Sequence, residues 1–467
     1  MISLQPVILA AGASTRMNSQ KSKVLHALLG RSLVHRSFDL VESIGSEKPL
    51  FVLGSNHAEV TEELDREFKG KYLWALQNPP RGTGDALVVA LKALDQIPDE
   101  QGVLILGADA VLLRTESLKL LAEEHLSKKA VMSFLTARLD NPSNYGRVVR
   151  SGESQVLKIV EKKEATPEEL SIQEVNAGFY IIQKGALQSF LKEMSESKTT
   201  HEYYLTDIVE WLRRKNYLVL GQCLADSNEA LGINSLDEFA LAESVLLKRV
   251  IFDWMKKGVK IHLPHSQYIE ESVQLSSDTE IWPGCVLRGK TSIDRGTSLG
   301  SYSHIEDSLI GKDCKILAYS HLESAQISDQ AVVGPYARLR PGTRLDRTVK
   351  IGNFVEVKNS HFEEGSKANH LSYIGDAEVG SKSNIGAGTI TCNYDGYKKS
   401  QTKIGKNVFV GSNSSLVAPL QLGDGSIVGA GSVVTKSTEK DALTLERSEQ
   451  VIKNLGAKSF REKNGDS

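Results

Sequence analysis

The chain has 467 residues, enough for two to four domains of ordinary size. Hydrophobic residues make up 40% and charged residues 24%, the balance of a soluble globular protein. Lys and Arg total 56 against 58 Asp and Glu, a formal net charge of -2, which argues against a dedicated nucleic-acid binder.

The four cysteines, Cys223, Cys285, Cys314 and Cys392, form no CxxC pair, so neither a redox motif nor a zinc knuckle is expected. The apolar run from Val7 to Ala11 is too short for a signal peptide. No apolar stretch approaches the ~18 residues of a membrane span. These features predict a cytoplasmic protein with no membrane insertion.

Before about residue 258, short apolar runs alternate with helical patterns. Pro6–Ala11, Pro49–Gly54 and Gly102–Gly107 read as buried parallel strands, and Ala86–Leu94 and Glu116–Leu126 as helices. The alternation predicts a doubly wound α/β domain. After the first strand comes Leu9-Ala10-Ala11-Gly12, then Arg16 and Lys23. A Gly-containing turn at a strand's end, flanked by two bases, suits a polyphosphate; an ordinary strand-to-helix turn with solvated bases is the alternative. Gln77 and the Gly82-Thr83-Gly84 turn offer backbone to a planar base. Asp109, where the third strand ends, reads as a Mg²⁺ ligand or as a helix N-cap or turn residue. Tyr145-Gly146-Arg147, Glu161, Asn176 and Asn234 follow.

Residues 236–257 carry apolar residues at three- and four-residue spacing up to Gly258, which predicts one long helix linking two domains. Beyond residue 265 the period is six: Ile281, Leu287, Ile293, Leu299 and Ile305, and later Ile404, Val410, Leu416, Leu422, Val428 and Val434. A six-residue repeat predicts a parallel β-helix with one inward residue per triangular side. Arg340–Lys350 and Cys392–Lys403 are expected to leave the coil as loops.

On that scaffold Arg340, Lys358, His370, Tyr373 and Asn384 recur at coil spacings. Two bases suit a phosphate, and His370 suits a general base acting on an amine. Cys392 could be read as an acyl carrier, but direct transfer is favoured because nothing in the sequence activates the thiol.

The N-terminal motifs, in this order, resemble sugar-1-phosphate nucleotidyltransferases. With the hexapeptide repeats behind them, residues 6 to about 450 resemble the bacterial family of bifunctional N-acetylglucosamine-1-phosphate uridyltransferases and glucosamine-1-phosphate acetyltransferases. The resemblance implies an α/β Rossmann-like nucleotidyltransferase domain (1–235), a linker helix (236–260) and a left-handed β-helix acetyltransferase domain (261–467). It implies Mg²⁺ as cofactor, acetyl-CoA and UTP as co-substrates, and a homotrimer. Leu9, Ala10, Ala11, Gly12 and Lys23 would hold the nucleotide, with Gln77, Gly82 and Thr83 at the uracil. Gly146, Glu161 and Asn176 would hold N-acetylglucosamine, Asp109 and Asn234 the Mg²⁺, and Arg16 the leaving pyrophosphate. In the second domain His370 would be the base. Arg340, Lys358, Tyr373 and Asn384 would hold glucosamine 1-phosphate on one prism. Ala387, Asn393, Tyr394, Ser412, Ala430 and Arg447 would contact acetyl-CoA, with Ser412 and Ala430 coming from the neighbouring prism and Arg447 able to reach from the third. Three positions depart from the family pattern: Ser14 stands for Gly, Ser22 for Pro, and Ala108-Asp109-Ala110-Val111 for Gly-Asp-x-Pro. A nucleotidyltransferase with a merely structural or regulatory β-helix and a non-catalytic nucleotide-sugar sensor are the competing readings.

Overall fold

The computed structural model describes residues 4–12, 17, 21–142, 144–152, 155–197 and 199–465. The chain forms two compact units, 1–246 and 247–467, whose border falls within the helix Leu236–Lys256.

The first unit is built on a nine-stranded sheet. Its strands are β1 (Leu4–Ala10), β2 (Leu50–Leu53), β3 (Leu73–Leu76), β4 (Gly102–Gly107), β5 (Met132–Arg138), β6 (Arg147–Ser151), β7 (Gln155–Val160), β8 (Glu174–Gln183) and β9 (Val219–Cys223). Their order is β9-β5-β8-β4-β1-β2-β3, with β6 on β8 and β7 on β6. β1 runs parallel to both β2 and β4, and β8 runs antiparallel to β4 and β5. The central strands are buried on both faces, which is why β2 reads Leu-Phe-Val-Leu without alternation. Chain order reverses between β1 and β4. In open α/β sheets, ligands bind beyond the carboxyl ends of the strands at such a point.

The second unit is a left-handed parallel β-helix with faces of 11, 10 and 9 short strands. We call them faces I, II and III, beginning at Lys260–Ile261, Tyr268–Ile269 and Gln274–Leu275. Each coil sends one apolar residue per face inward; Ile281, Leu287, Ile293 and Leu299 are all 1% exposed or less. Buried Ser and Thr hydroxyls close the corners: Thr389 and Ser432 each donate to the carbonyl three residues back, at 2.7 Å. The C-terminal half of the helix Leu236–Lys256 packs Leu247, Val250, Ile251 and Trp254 on the first coils.

Arg340–Lys350 does not leave the coil, contrary to the reading from sequence. Strand Arg344–Leu345 lies within it, Leu345 points inward, and Gly342 turns the corner at φ 83°. The six-residue step from Leu339 to Leu345 was overlooked behind the charged side chains of that stretch. Cys392–Lys403 does contain an excursion, pinned by an antiparallel bridge between Tyr394 and Lys399. No helix among the described residues is long and apolar enough to cross a membrane.

Candidate functional site

In the first unit, a cleft of about 670 Å³ opens at the carboxyl ends of β1 and β4. Leu9, Ala11 and Gly12 border it from β1, and Gln77, Gly82 and Thr83 from the turn after β3. Gly146, Glu161, Asn176, Asp109 and Asn234 complete it, so residues from positions 9 to 234 meet around one space. Ala10 alternates into the core and can offer the cleft only backbone. Arg16 and Ser14 lie outside the described residues.

The Lys23 ammonium sits 2.6 Å from Asp109 Oδ2 and 3.2 Å from Asn234 Oδ1. A carboxylate and an amide oxygen thus converge on one cation-sized point. That donor set suits Mg²⁺, which takes one or two protein oxygens and fills its remaining positions with water and substrate phosphate. Asp109 is not the cap of the next helix, Thr115–Ser127, which has Arg114 at its N-cap; it stands in the turn after β4, where the Ala110 N–H donates to Gly107 O at 3.2 Å. Ser22, which stands where the family has Pro, adopts φ -55°, a value proline itself takes, so the turn before Lys23 is kept.

Gln77 is buried, and its amide donates to Gly82 O at 3.1 Å and Asp85 Oδ2 at 2.9 Å. Gly82 has φ 102°, and a Cβ there would stand 2.9 Å from Tyr203 O. Only glycine therefore fits that turn. Thr83 Oγ1 accepts from the Leu205 N–H at 3.3 Å.

On the opposite wall burial pushes the Glu161 carboxyl above the usual carboxylate range, while the Thr206 hydroxyl, donating at 2.9 Å, favours its ionised form. Asn176 donates to Tyr180 Oη at 2.5 Å. Thr206, Tyr180 and the Tyr145 of the Tyr145-Gly146-Arg147 motif also line this cleft, although the sequence reading assigned none of these side chains a role.

In the second unit the corner between faces I and II carries a column of residues, one per coil. Asn353, His370, Ala387, Ser412 and Ala430 follow one another, each just before a residue of positive φ: Phe354, Leu371, Gly388, Asn413 and Gly431. Arg447 lies over the top of this column in its own chain, since a Cβ on Gly431 would meet its Cδ at 3.9 Å. The expected reach of Arg447 from another chain is not needed to bring it here.

His370 Nδ1 stands 2.8 Å from Asn353 Oδ1, one coil and 17 residues back. With the amide oxygen as acceptor, Nδ1 carries the proton and Nε2 keeps its lone pair. Tyr373 projects from face II just after this corner. Its hydroxyl lies across Gly375 toward Asn393, as a Cβ at 375 would stand 2.5 Å from Tyr373 Oη and 2.9 Å from Asn393 Nδ2.

At the far corner of face II, Arg340 and Lys358 gather with a third base, Lys399. A hydrogen bond from Lys399, with its charge and that of Arg340, pulls Lys358 below the usual lysine range. The sequence reading missed Lys399, although the bridge that returns it to Tyr394 lies inside the only long excursion of the coil. Asn384 does not join this group: it pairs with Lys367 and Phe409 on face I. Cys392 is partly exposed on face II, and Tyr394 is exposed in the excursion with its hydroxyl on Gly396 O at 2.5 Å.

A Rossmann-type sheet with a nucleotide-sized cleft, joined to a hexapeptide-repeat prism with one histidine in its corner column, defines a transferase of nucleotidyl and acyl groups. The comparisons agree. The nucleotidyl transferase family matches residues 5–240, and the hexapeptide repeat of succinyl-transferase matches residues 401–436. The bifunctional protein GlmU of a Thermus thermophilus strain is 43% identical over 455 residues, covering 97% of this chain and 98% of its own. That of Pelobacter propionicus is 41% identical over 451 residues, 97% of each. A solved UDP-glucose pyrophosphorylase with UDP-glucose bound covers 53% of this chain and 100% of its own at 16% identity, with a TM-score of 0.44. The chain belongs to the bifunctional GlmU family.

Proposed function

We propose that this two-activity transferase acetylates glucosamine 1-phosphate with acetyl-CoA in the second unit. The first unit then couples the product to UTP, giving UDP-N-acetylglucosamine and pyrophosphate. The observation that carries the reading is the convergence of the motif residues from 9 to 234 on one cleft with its Asp109–Lys23–Asn234 knot.

In the acetyl transfer, His370 Nε2 takes a proton as the sugar's amine nitrogen attacks the thioester carbonyl. The C–S bond breaks and coenzyme A leaves. Asn353 holds the tautomer that makes this possible. Arg340, Lys358 and Lys399 bind the sugar phosphate, whose dianion relieves the mutual repulsion of the three bases. Tyr373 orients the sugar over Gly375. Ala387, Ser412 and Ala430 present small side chains along which the extended thiol arm lies, and Asn393, Tyr394 and Arg447 flank it.

In the uridyl transfer, a phosphate oxygen of N-acetylglucosamine 1-phosphate attacks the α-phosphorus of UTP. The bond to the β-phosphate breaks and pyrophosphate departs. Leu9–Gly12 offer backbone N–H groups to the phosphates, and Gln77, Gly82 and Thr83 hold the uracil. Gly146, Glu161 and Asn176 hold the sugar, and Arg16 is assigned to the leaving group. Asp109 and Asn234 would hold Mg²⁺, which supplies charge screening to the polyphosphate. Lys23 would then hold the phosphates with its ammonium.

A homotrimer is proposed on the position of Asn384. Its place on face I, away from Arg340 and Lys358 on face II, makes it the group a neighbouring prism supplies to the acetyl site. Supplying glucosamine 1-phosphate, acetyl-CoA, UTP and Mg²⁺ together and following coenzyme A and pyrophosphate tests the whole reading. Release of both, each dependent on glucosamine 1-phosphate, is expected. Coenzyme A release alone would leave the first unit a sensor; pyrophosphate release alone, on added N-acetylglucosamine 1-phosphate, would leave the prism a scaffold.

A further inference from the structure

A second cleft, of about 810 Å³, opens on the first unit, away from the uridyl residues. Its walls include Arg138 on β5, Arg150 on β6, Glu174 at the start of β8, and Gly221 and Cys223 on β9.

Charge inside it is unbalanced. Arg150 grips Glu174 through Nε–Oε2 at 2.8 Å and Nη2–Oε1 at 2.6 Å, and the Thr136 hydroxyl donates to the same carboxylate at 2.6 Å. Glu174 is therefore saturated by partners of its own, and Arg150 Nη2 also donates to Gly221 O at 2.9 Å. A Cβ at Gly221 would stand 3.0 Å from that nitrogen and 2.9 Å from Val156 Cγ2, so the glycine keeps the guanidinium in place. Arg138 stands directly across the strand pair from Glu174 and its charge acts on that carboxylate without forming an ion pair among the described residues, so two guanidiniums share one carboxylate and the lining keeps one net positive charge.

We propose that this cleft binds a small multivalent anion of the phosphate or carboxylate type, gripped by the fork of Arg138. The volume is that of an ordinary small-molecule site, and a planar guanidinium is the side chain best matched to either oxyanion. Bound anion also bears on the uridyl cleft. Glu174 and Asn176 lie two apart on β8, and Asn176 pairs with Thr136, whose hydroxyl holds Glu174. This coupling rests on the proposed uridyl transfer; the binding does not.

Cys223 is an exposed thiol in the cleft and reports its occupancy. The rate at which neutral iodoacetamide alkylates Cys223 in the full chain is followed by mass spectrometry, at constant ionic strength, with inorganic phosphate or with citrate. At least one of the two should slow alkylation several-fold, and which one protects more strongly identifies the class. Arg138→Gln should remove the protection, and Arg138→Lys, which keeps the charge but loses the fork, should weaken it. If neither anion protects, or protection persists in Arg138→Gln, the site does not exist. In a parallel assay of uridyl transfer, the protecting anion should shift KM for the sugar phosphate in wild type and not in Arg138→Gln. Protection without that shift refutes the coupling alone.

Discussion

The two units solve one problem, holding a phosphorylated sugar, in opposite ways. In the first unit the lining residues come from eight separate stretches of chain between positions 9 and 234, and the cleft exists because a strand order reverses between β1 and β4. In the second the side chains repeat along one corner and one face, and neighbours in space are one coil apart in sequence, as Asn353 and His370 are at 17 residues. A cleft assembled from many loops concentrates its chemistry at one point. A prism spreads its chemistry along a line. Single substitutions should therefore be more damaging in the cleft, and more graded along the column.

Asp109→Ala gives the harshest test. Uridyl transfer should fall below detection while acetyl transfer stays near wild type, because one carboxylate is half of the convergent oxygen pair. Measured pyrophosphate release at the wild-type rate would remove Asp109 from the centre. His370→Ala should lower acetyl transfer by ~10²–10⁴-fold, the usual worth of a general base, and spare uridyl transfer; normal acetylation would put the base elsewhere. Asn353→Ala should cost about tenfold in kcat, the worth of one lost hydrogen bond. An unchanged kcat would make Asn353 a spectator and the column less graded than argued.

The smallest effect concerns stability. Burial pushes His125 down to about 4, and it is neutral in the fold, with Nδ1 2.9 Å from Ser133 Oγ. The unfolded chain binds that proton near the ordinary value of ~6.5. Stability is thus intact above that value and declines as pH falls from about 6.5 toward 4, by up to ~1.4 kcal/mol per unit. In urea denaturation, wild type should lose ground relative to His125→Gln over this window only. A constant difference across pH would show that the ring does not stay neutral.

Legibility followed the same division. The strands Pro6–Ala11, Pro49–Gly54 and Gly102–Gly107 could be read because burial on both faces leaves short uninterrupted apolar runs, and the structure has them at Leu4–Ala10, Leu50–Leu53 and Gly102–Gly107. β3 escaped notice because Leu73, Trp74 and Leu76 are exposed on an edge strand and follow no core pattern. β8 changes register between Asn176 and Tyr180, which breaks its alternation. In the prism, six-residue steps revealed the faces, but coils of 17 residues contain one five-residue step, as from Ile305 to Ile310. Partners such as Asn353 and Lys399 touch their targets across coils, where adjacency in the sequence gives no sign. Thr206 acts through Glu161, and nothing in Tyr-Tyr-Leu-Thr-Asp announces which side chain it meets.

The column on the prism also works as a ruler. Adjacent coils stand about 4.8 Å apart, so Ala430 lies roughly 15 Å above His370, with Arg447 one step farther. If the acyl carrier lies along this column as proposed, its reach is encoded as a number of coils, set by counting rather than by the shape of a pocket. Removing one whole coil above His370 would preserve every inward contact of the prism and shorten the scale by a single graduation, which a carrier with a correspondingly shorter arm would tolerate and coenzyme A would not.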